Sequence, residues 1–289
     1  MKYAVQEMKW LFLIYCFAHM SAQAQLRVQI VDRYDARPLP FVSVSVLNAN
    51  HGYTTNAHGF FELDTAKECA TIVCHAAGYH VLSMKTDTMG TLVKLHKKDL
   101  VLQEVEVFPR GTTSRTIDRI RKPLIAGKRY SMSNRGAPVL VAKAYPFEED
   151  ISATPFLKSV AIRTSSEIED AVFQLHLFAL SDSGKPAADL IEEGVLVTAP
   201  KGSHIIQVDL SNYRIRIPEN GMAVGVQWLL IEDNAYEKKE QRNYAPSFFY
   251  HRTEGVSWYF TQGIWVQQDP FHAPGDANRA LSCQFELMN

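Results

Sequence analysis

The sequence predicts an all-β protein built from two β-sandwich domains. Three observations carry this: apolar and polar residues alternate with a period of two in many short segments, Gly, Pro, Asn and Asp punctuate them at hairpin spacing, and long helical periods are missing. Of 289 residues, about 265 remain once residues 1–24 are set aside, at or above the size at which one core usually divides, so two domains are expected.

Residues 1–24 read as a signal peptide. Lys2 and Lys9 precede the apolar run from Trp10 to Ala18, and Ser21-Ala22-Gln23-Ala24 offers the small-x-small cleavage pattern, with Gln25 as the new N-terminus. The run is about half the ~20 residues that cross a bilayer as a helix, and no later segment approaches that length, so no transmembrane span is expected. Gln25 rather than Cys at the cut argues against a lipid anchor. The product is expected to be exported and to be periplasmic, outer-membrane associated or secreted. Removing Lys2, Lys9 and Glu7 from 30 basic and 31 acidic residues leaves 28 and 30, a formal charge of −2, which gives no reason to expect a nucleic-acid partner. Loss of Cys16 leaves Cys69, Cys74 and Cys283, an odd number. Cys74 and Cys283 fall in phase with apolar neighbours, which favours buried free thiols over a disulfide or a metal role.

The first sandwich is expected over 25–108. Leu26 to Asp32 reads as a strand. Pro38 and Pro40 bracket Leu39, fixing two φ angles and removing two donors, so an extended turn at a sheet edge follows. Val42, Val44 and Val46 then alternate with Ser43 and Ser45, predicting a strand with valines on the core and serines in water. A turn at Asn50 to Gly52 and another at Asn56-Ala57-His58-Gly59 deliver Phe60-Phe61-Glu62-Leu63, with Phe61 and Leu63 on one face. Further strands are expected at 69–75, 79–86, 91–96 and 102–108, which makes about seven.

The run Val31-Asp32, Pro38-Leu39-Pro40-Phe41-Val42-Ser43-Val44, Gly52-Tyr53-Thr54-Thr55-Asn56 and Gly59-Phe60-Phe61 resembles the carboxypeptidase-like regulatory domain of exported Gram-negative proteins. The resemblance covers under a third of the chain and implies a seven-stranded prealbumin-like sandwich. It also implies an accessory module and no activity of its own. Ala36 and Arg37 stand where the family has a small residue and Gly before the Pro turn, and Asn56 where an Asp is usual. The strand Leu102 to Val107 resembles the one preceding the plug of TonB-dependent receptors. A plugged barrel of about 22 strands needs ~200–240 residues, and 181 follow position 108, so a receptor is not expected.

Residues 109–138 read as a basic connector, with eight Lys and Arg between Arg110 and Arg135 against Asp118 alone. Ile117, Ile120 and Leu124 at helical spacing, a Thr113 or Ser114 cap and Pro123 near the stop predict a short amphipathic helix with a solvated basic face. The sharper reading of Arg115, Arg119, Arg121 and Lys122 is a contact with an anionic outer-membrane surface.

A larger, jelly-roll-like C-terminal sandwich is expected over 139–289. Phe173, Leu175 and Leu177 alternate with Gln174 and His176; Ile206, Val208 and Leu210 with Gln207 and Asp209; Ile215 and Ile217 with Arg214 and Arg216. Leu281, Cys283, Phe285 and Leu287 close the chain in the same phase. The passage from Val208 to Trp228 resembles the C-terminal sandwich often joined to the regulatory-like domain in exported proteins, which implies architecture only.

The motifs exclude more than they assign. His251-Arg252-Thr253-Glu254 matches the H-x-x-E pair of zinc carboxypeptidases, but a catalytic zinc needs a third ligand, only His272 follows, and no α/β catalytic body fits behind it. No phosphate-binding Gly loop, G-x-S-x-G elbow or H-E-x-x-H helix is present, and no cofactor is expected. The Asp182 turn and Gly275-Asp276-Ala277-Asn278 are explained by turn chemistry without calcium. Between Tyr244 and Trp265 lie eight aromatics. Core packing accounts for most; a carbohydrate-binding platform of Trp258, Tyr259 and Trp265 is the alternative. The sequence therefore predicts an exported, non-catalytic binding or structural module of the cell envelope, with an envelope protein or a glycan as partner, a carbohydrate-binding module as the alternative and a zinc peptidase as a remote one.

Overall fold

The computed structural model describes residues 25–64, 70–99, 113–120, 128–133, 136–146, 151, 153–252, 256–267 and 279–289. The signal segment, Cys69, the strand expected at 102–108, and Arg121, Lys122, Glu254, His272 and Asp276 lie outside them. Among the described residues every long element is a strand, and the helical pieces are three single 3-10 turns.

Seven strands build the first sandwich: β1 (Gln25–Asp32), β2 (Ser43–Val46), β3 (Gly52–Thr54), β4 (Phe60–Asp64), β5 (Thr71–His75), β6 (Leu82–Lys85) and β7 (Leu92–Leu95). They form two sheets, ordered β4-β1-β7 and β3-β2-β5-β6. Valines, Phe61 and Leu63 fill the space between, as the alternation predicts. β1 and β7 run parallel, whereas β1–β4, β2–β3, β2–β5 and β5–β6 are antiparallel. The double-Pro turn is held from inside. Buried Thr55 donates its hydroxyl to Leu39 O at 2.9 Å and accepts from Val42 N–H at 2.8 Å. Asp32 anchors the preceding turn by accepting from Tyr34 N–H and the Tyr79 hydroxyl, and these bonds hold its carboxyl below the usual range.

Fifteen strands follow: β8 (Ser114–Ile117), β9 (Arg129–Ser133), β10 (Leu140–Tyr145), β11 (Phe156–Ser166), β12 (Ala171–Leu180), β13 (Pro186–Asp189), β14 (Val195–Ala199), β15 (Gly202–Asp209), β16 (Met222–Trp228), β17 (Ala235–Lys238), β18 (Gln241–Arg252), β19 (Ser257–Thr261), β20 (Ile264–Val266), β21 (Arg279–Leu281) and β22 (Cys283–Met288). A seven-stranded sheet runs β13-β12-β16-β10-β19-β20 with β14 beside β12; an eight-stranded sheet is built on β17-β18-β11-β22-β8. Between them Phe173 and Trp228 of the first sheet meet the Phe248 ring of the second at 5.0 and 4.8 Å. Each such fully buried side chain contributes about 1.5–3 kcal/mol. Leu281, Cys283, Phe285 and Leu287 face this core. Cys74 and Cys283 are buried free thiols, pushed by burial up to about 12 and about 11.

Two expectations are corrected. Residues 114–117 are a strand, not the start of a helix, and pair with the C-terminal strand β22. Three apolar residues at helical spacing are a weak signal, and the β-branched Thr116 and Ile117 fit the open edge of β22. The connector thus belongs in large part to the second sandwich, since β9 also pairs with β18. Second, Ser43 and Ser45 are buried. Their face of the sheet, with Thr54, Val73 and His75, is covered by the second sandwich rather than by water. A Cβ on Gly52 would fall 2.5 Å from Pro138 Cδ, and one on Gly263 would fall 2.8 Å from a Val73 methyl. Leu230 N–H donates to Thr54 Oγ1 and Gln227 Nε2 to Phe41 O. The opposing surface is the outer face of the seven-stranded sheet, where Leu140, Ala142, Ala144 and Ala223 lie beside Phe178, Trp258 and Phe260. Small side chains on both faces let the sheets approach closely. The central strands β10 and β16 are therefore covered on both sides, buried along their whole length, and they read as near-continuous apolar runs.

Candidate functional site

A cleft of about 420 Å³ opens at one side of this docked face, within the range of small-ligand sites. Two hairpins build its C-terminal half. Gln262 and Gly263, both at positive φ, make the tight two-residue turn between β19 and β20 and set Trp265 directly across from Phe260. The rings of Phe178 and Phe260 meet Trp265 edge-on at 5.1 and 5.2 Å. The second hairpin turns at Ser181 to Lys185. There Gly184 takes φ 73°, and the Ser181 hydroxyl accepts from Lys185 N–H while donating to Lys185 O. That turn places Lys185, Pro186 and Ala187 on the rim.

His75, Val81 and Lys98 of the first sandwich form the opposite wall. The His75 ring lies 4.2 Å from that of Phe260. Burial, then the neighbouring His176 and the Lys98 ammonium, pull its pKa down to about 3, so His75 is neutral across the physiological range and presents a ring rather than a charge. The walls are clipped together by three ion pairs: Lys98 to Asp189 at 2.6 Å, Lys97 to Glu192 at 2.7 Å and Arg37 to Glu193 at 3.1 Å. Gln262 adds a bond from its Nε2 to Ala49 O. The cleft thus has an aromatic floor, a neutral imidazole and two lysines.

The structure separates the aromatics singled out from sequence. Trp265 is half-buried and lines the cleft. Trp258, 9 % exposed, packs in the same apolar layer without lining the cleft, and its indole N–H has no partner among the described residues. Tyr259, 1 % exposed, points the other way into the main core and shares a hydrogen bond with the Tyr130 hydroxyl at 2.9 Å. No ligand can stack on it there, and the adjacent position along a strand dictates this. His75, Lys98, Phe178 and Lys185 are signalled by no motif. Phe178 alone carries a visible clue: with Leu180 it supplies apolar residues out of phase with Leu175 and Leu177, the mark of a strand buried on both faces.

A second cluster of titratable groups surrounds the end of β10. Lys143 is buried; its ammonium pairs with Asp118, which also accepts from the Tyr145 hydroxyl at 2.9 Å. Tyr145 in turn touches Cys283 Sγ at 3.1 Å. His251 Nε2 lies 3.4 Å from Lys143 Nζ, and burial together with that ammonium holds its pKa below the ordinary value. With its thiol pushed up, Cys283 is a poor nucleophile; the arrangement fastens β8 to the sandwich. Among the described residues no three or more His, Cys, Asp or Glu side chains gather as they would around a metal. Of the basic patch, Arg115 is half-buried and Arg119 exposed. No helix among the described residues is long and apolar enough to cross a membrane.

Fold and cleft define a class: an all-β protein whose smaller first sandwich helps to wall a cleft of small-molecule size. Residues 28–107 match the family model of the CarboxypepD_reg-like domain, so the first sandwich is a carboxypeptidase-regulatory-like domain. Among solved structures the chain is similar to the clostridial cysteine protease Cwp84 after propeptide cleavage, at 12 % identity and TM-score 0.42, over 82 % of this chain and 50 % of that one. A structure of the cysteine protease and lectin-like domains of Cwp84, a surface-layer-associated protein of Clostridium difficile, is similar at 12 % identity and TM-score 0.41, over 82 % and 45 %. The chain spans about half the length of these structures. Likenesses this distant carry no statement about chemistry. No curated protein matches the chain.

Proposed function

We propose that this protein is an exported, non-catalytic binding module of the cell envelope, and that the cleft between its two sandwiches takes a carbohydrate. The observation that carries this reading is the half-buried Trp265, held edge-on by Phe178 and Phe260 at the floor of a cleft of about 420 Å³. Sugar rings present apolar C–H faces that pack on an indole, while their hydroxyls need polar rims. A rigid aromatic supplies such contact at low entropic cost. The regulatory-like domain supports a non-catalytic reading, and the signal pattern of residues 1–24 supports export. Contact with an anionic outer-membrane surface through Arg115, Arg119, Arg121 and Lys122 belongs to the same reading.

The test is glycan-array binding of the purified chain with and without Trp265→Ala. Loss of a stacked ring costs about 1–2 kcal/mol, or roughly 5- to 30-fold in affinity. Trp265→Ala is expected to weaken array signals by that factor; because the ring also packs on Phe178 and Phe260, the thermal midpoint falls, and retained β signal in circular dichroism at the assay temperature verifies the fold. Array binding indifferent to Trp265→Ala would remove the cleft from the reading.

A further inference from the structure

We infer that the ligand of the cleft is an anionic saccharide, with a carboxylate, sulfate or phosphate group seated at Lys185. This rests on the carbohydrate reading above and adds the charge of the ligand.

The charges around the cleft are unbalanced. Two lysines line it and no carboxylate does. The two lysines are not equivalent. Lys98 is spoken for: Asp189, whose side chain is only 7 % exposed, holds its ammonium at 2.6 Å. Lys185 is exposed on the rim and has no ion pair among the described residues. Of the nearby acids, Asp182 in the same turn accepts from the Asn220 side chain at 2.8 Å, and Asp189 is committed to Lys98. His75 is held neutral by burial and adds no opposing charge. The cleft therefore presents, beside an apolar aromatic floor, one exposed ammonium that no carboxylate of the described residues holds in an ion pair.

The local geometry favours use of that cation. Lys185 springs from a hairpin turn closed by Ser181 through Lys185 N–H, Lys185 O and Gly184 N–H, so its backbone is positioned before a ligand arrives. Ser181 lines the same cleft, and its hydroxyl is fully engaged within the turn by Lys185 and Ser183, which fixes the rim on which Lys185 stands. A neutral ring over Trp265 satisfies the floor but leaves Lys185 unanswered. An anionic substituent satisfies both, and a charge-assisted bond from an ammonium is among the stronger polar contacts available.

The experiment is an array carrying neutral, uronic-acid, sulfated and phosphorylated glycans, probed with the full exported chain, Lys185→Gln and Trp265→Ala, followed by titration calorimetry on the best binder. Binding confined to anionic glycans, weakened by salt and lowered about tenfold by Lys185→Gln, is the expected result. Lys185 is exposed, so Lys185→Gln keeps its fold, and an unchanged thermal midpoint verifies that. Neutral glycans bound as tightly as anionic ones, with sensitivity to Trp265→Ala and none to Lys185→Gln, would overturn the inference and leave the carbohydrate reading standing. Absence of any glycan binding would overturn both.

Discussion

Single atoms hold the turn that shapes the first sandwich. The Thr55 hydroxyl answers two backbone groups, Leu39 O and Val42 N–H, that the double-Pro turn takes away from any ladder. Thr55→Val keeps the shape and removes both bonds. Leaving a buried donor and acceptor unpaired costs about 1–3 kcal/mol, so a fall in the urea midpoint without loss of β signal in circular dichroism is expected; an unchanged midpoint would show that water or backbone movement serves the turn instead. Prolines at 38 and 40 announce this turn in the sequence. The Thr that satisfies it lies 15 residues past Pro40 and carries no local mark. Similarly, Trp265 is legible as a candidate and Tyr259 is not separable from it, because neighbouring strand residues point to opposite faces and only the register decides which face meets the core.

Among the elements, β8 shows how weakly a short pattern binds its conformation. Its residues match a helical period as well as a strand, and the choice falls to an edge of β22 that the local sequence does not mention. The strand is pinned by Asp118, paired with buried Lys143 and with Tyr145. Asp118→Asn leaves that ammonium without its carboxylate; because Asp118 is about one-third exposed, water offsets part of the loss, and a destabilisation of roughly 1–3 kcal/mol is expected by chemical denaturation. The double variant Asp118→Asn/Lys143→Met should recover most of it, since the stranded charge is gone. If the double variant is as unstable as the single one, the cost lies in β8 itself rather than in the charge. By contrast β22 and β12 are readable outright: their alternation places Cys283, Phe285, Phe173 and Leu175 in the core as expected. The second buried face of β12, with His176 and Phe178, is hinted at only by the out-of-phase Phe178 and Leu180, and the sheet that covers it is not visible from within the strand.

In the whole molecule the two sandwiches are joined by a face that sequence reasoning assigns to solvent at Ser43 and Ser45. Two buried histidines mark it. His75 and His176, with folded pKa values of about 3 and about 4, take up protons more readily when the chain opens, where the ordinary value near 6.5 returns. Between pH 6.5 and about 4 the open state therefore binds more protons, and stability falls with falling pH by up to about 1.4 kcal/mol per histidine per unit. Above pH 6.5 the contribution is complete. Thermal midpoints should drop steeply over that acid window, and less so in His75→Phe; equal slopes would mean that carboxylates elsewhere govern the acid limb. The ion pairs at Lys98, Lys97 and Arg37 bridge the same two bodies, so the cleft exists only while both are in place. A pull that parts the lobes strips away one wall of the cleft, and by reciprocity any molecule bound against both walls would resist that pull.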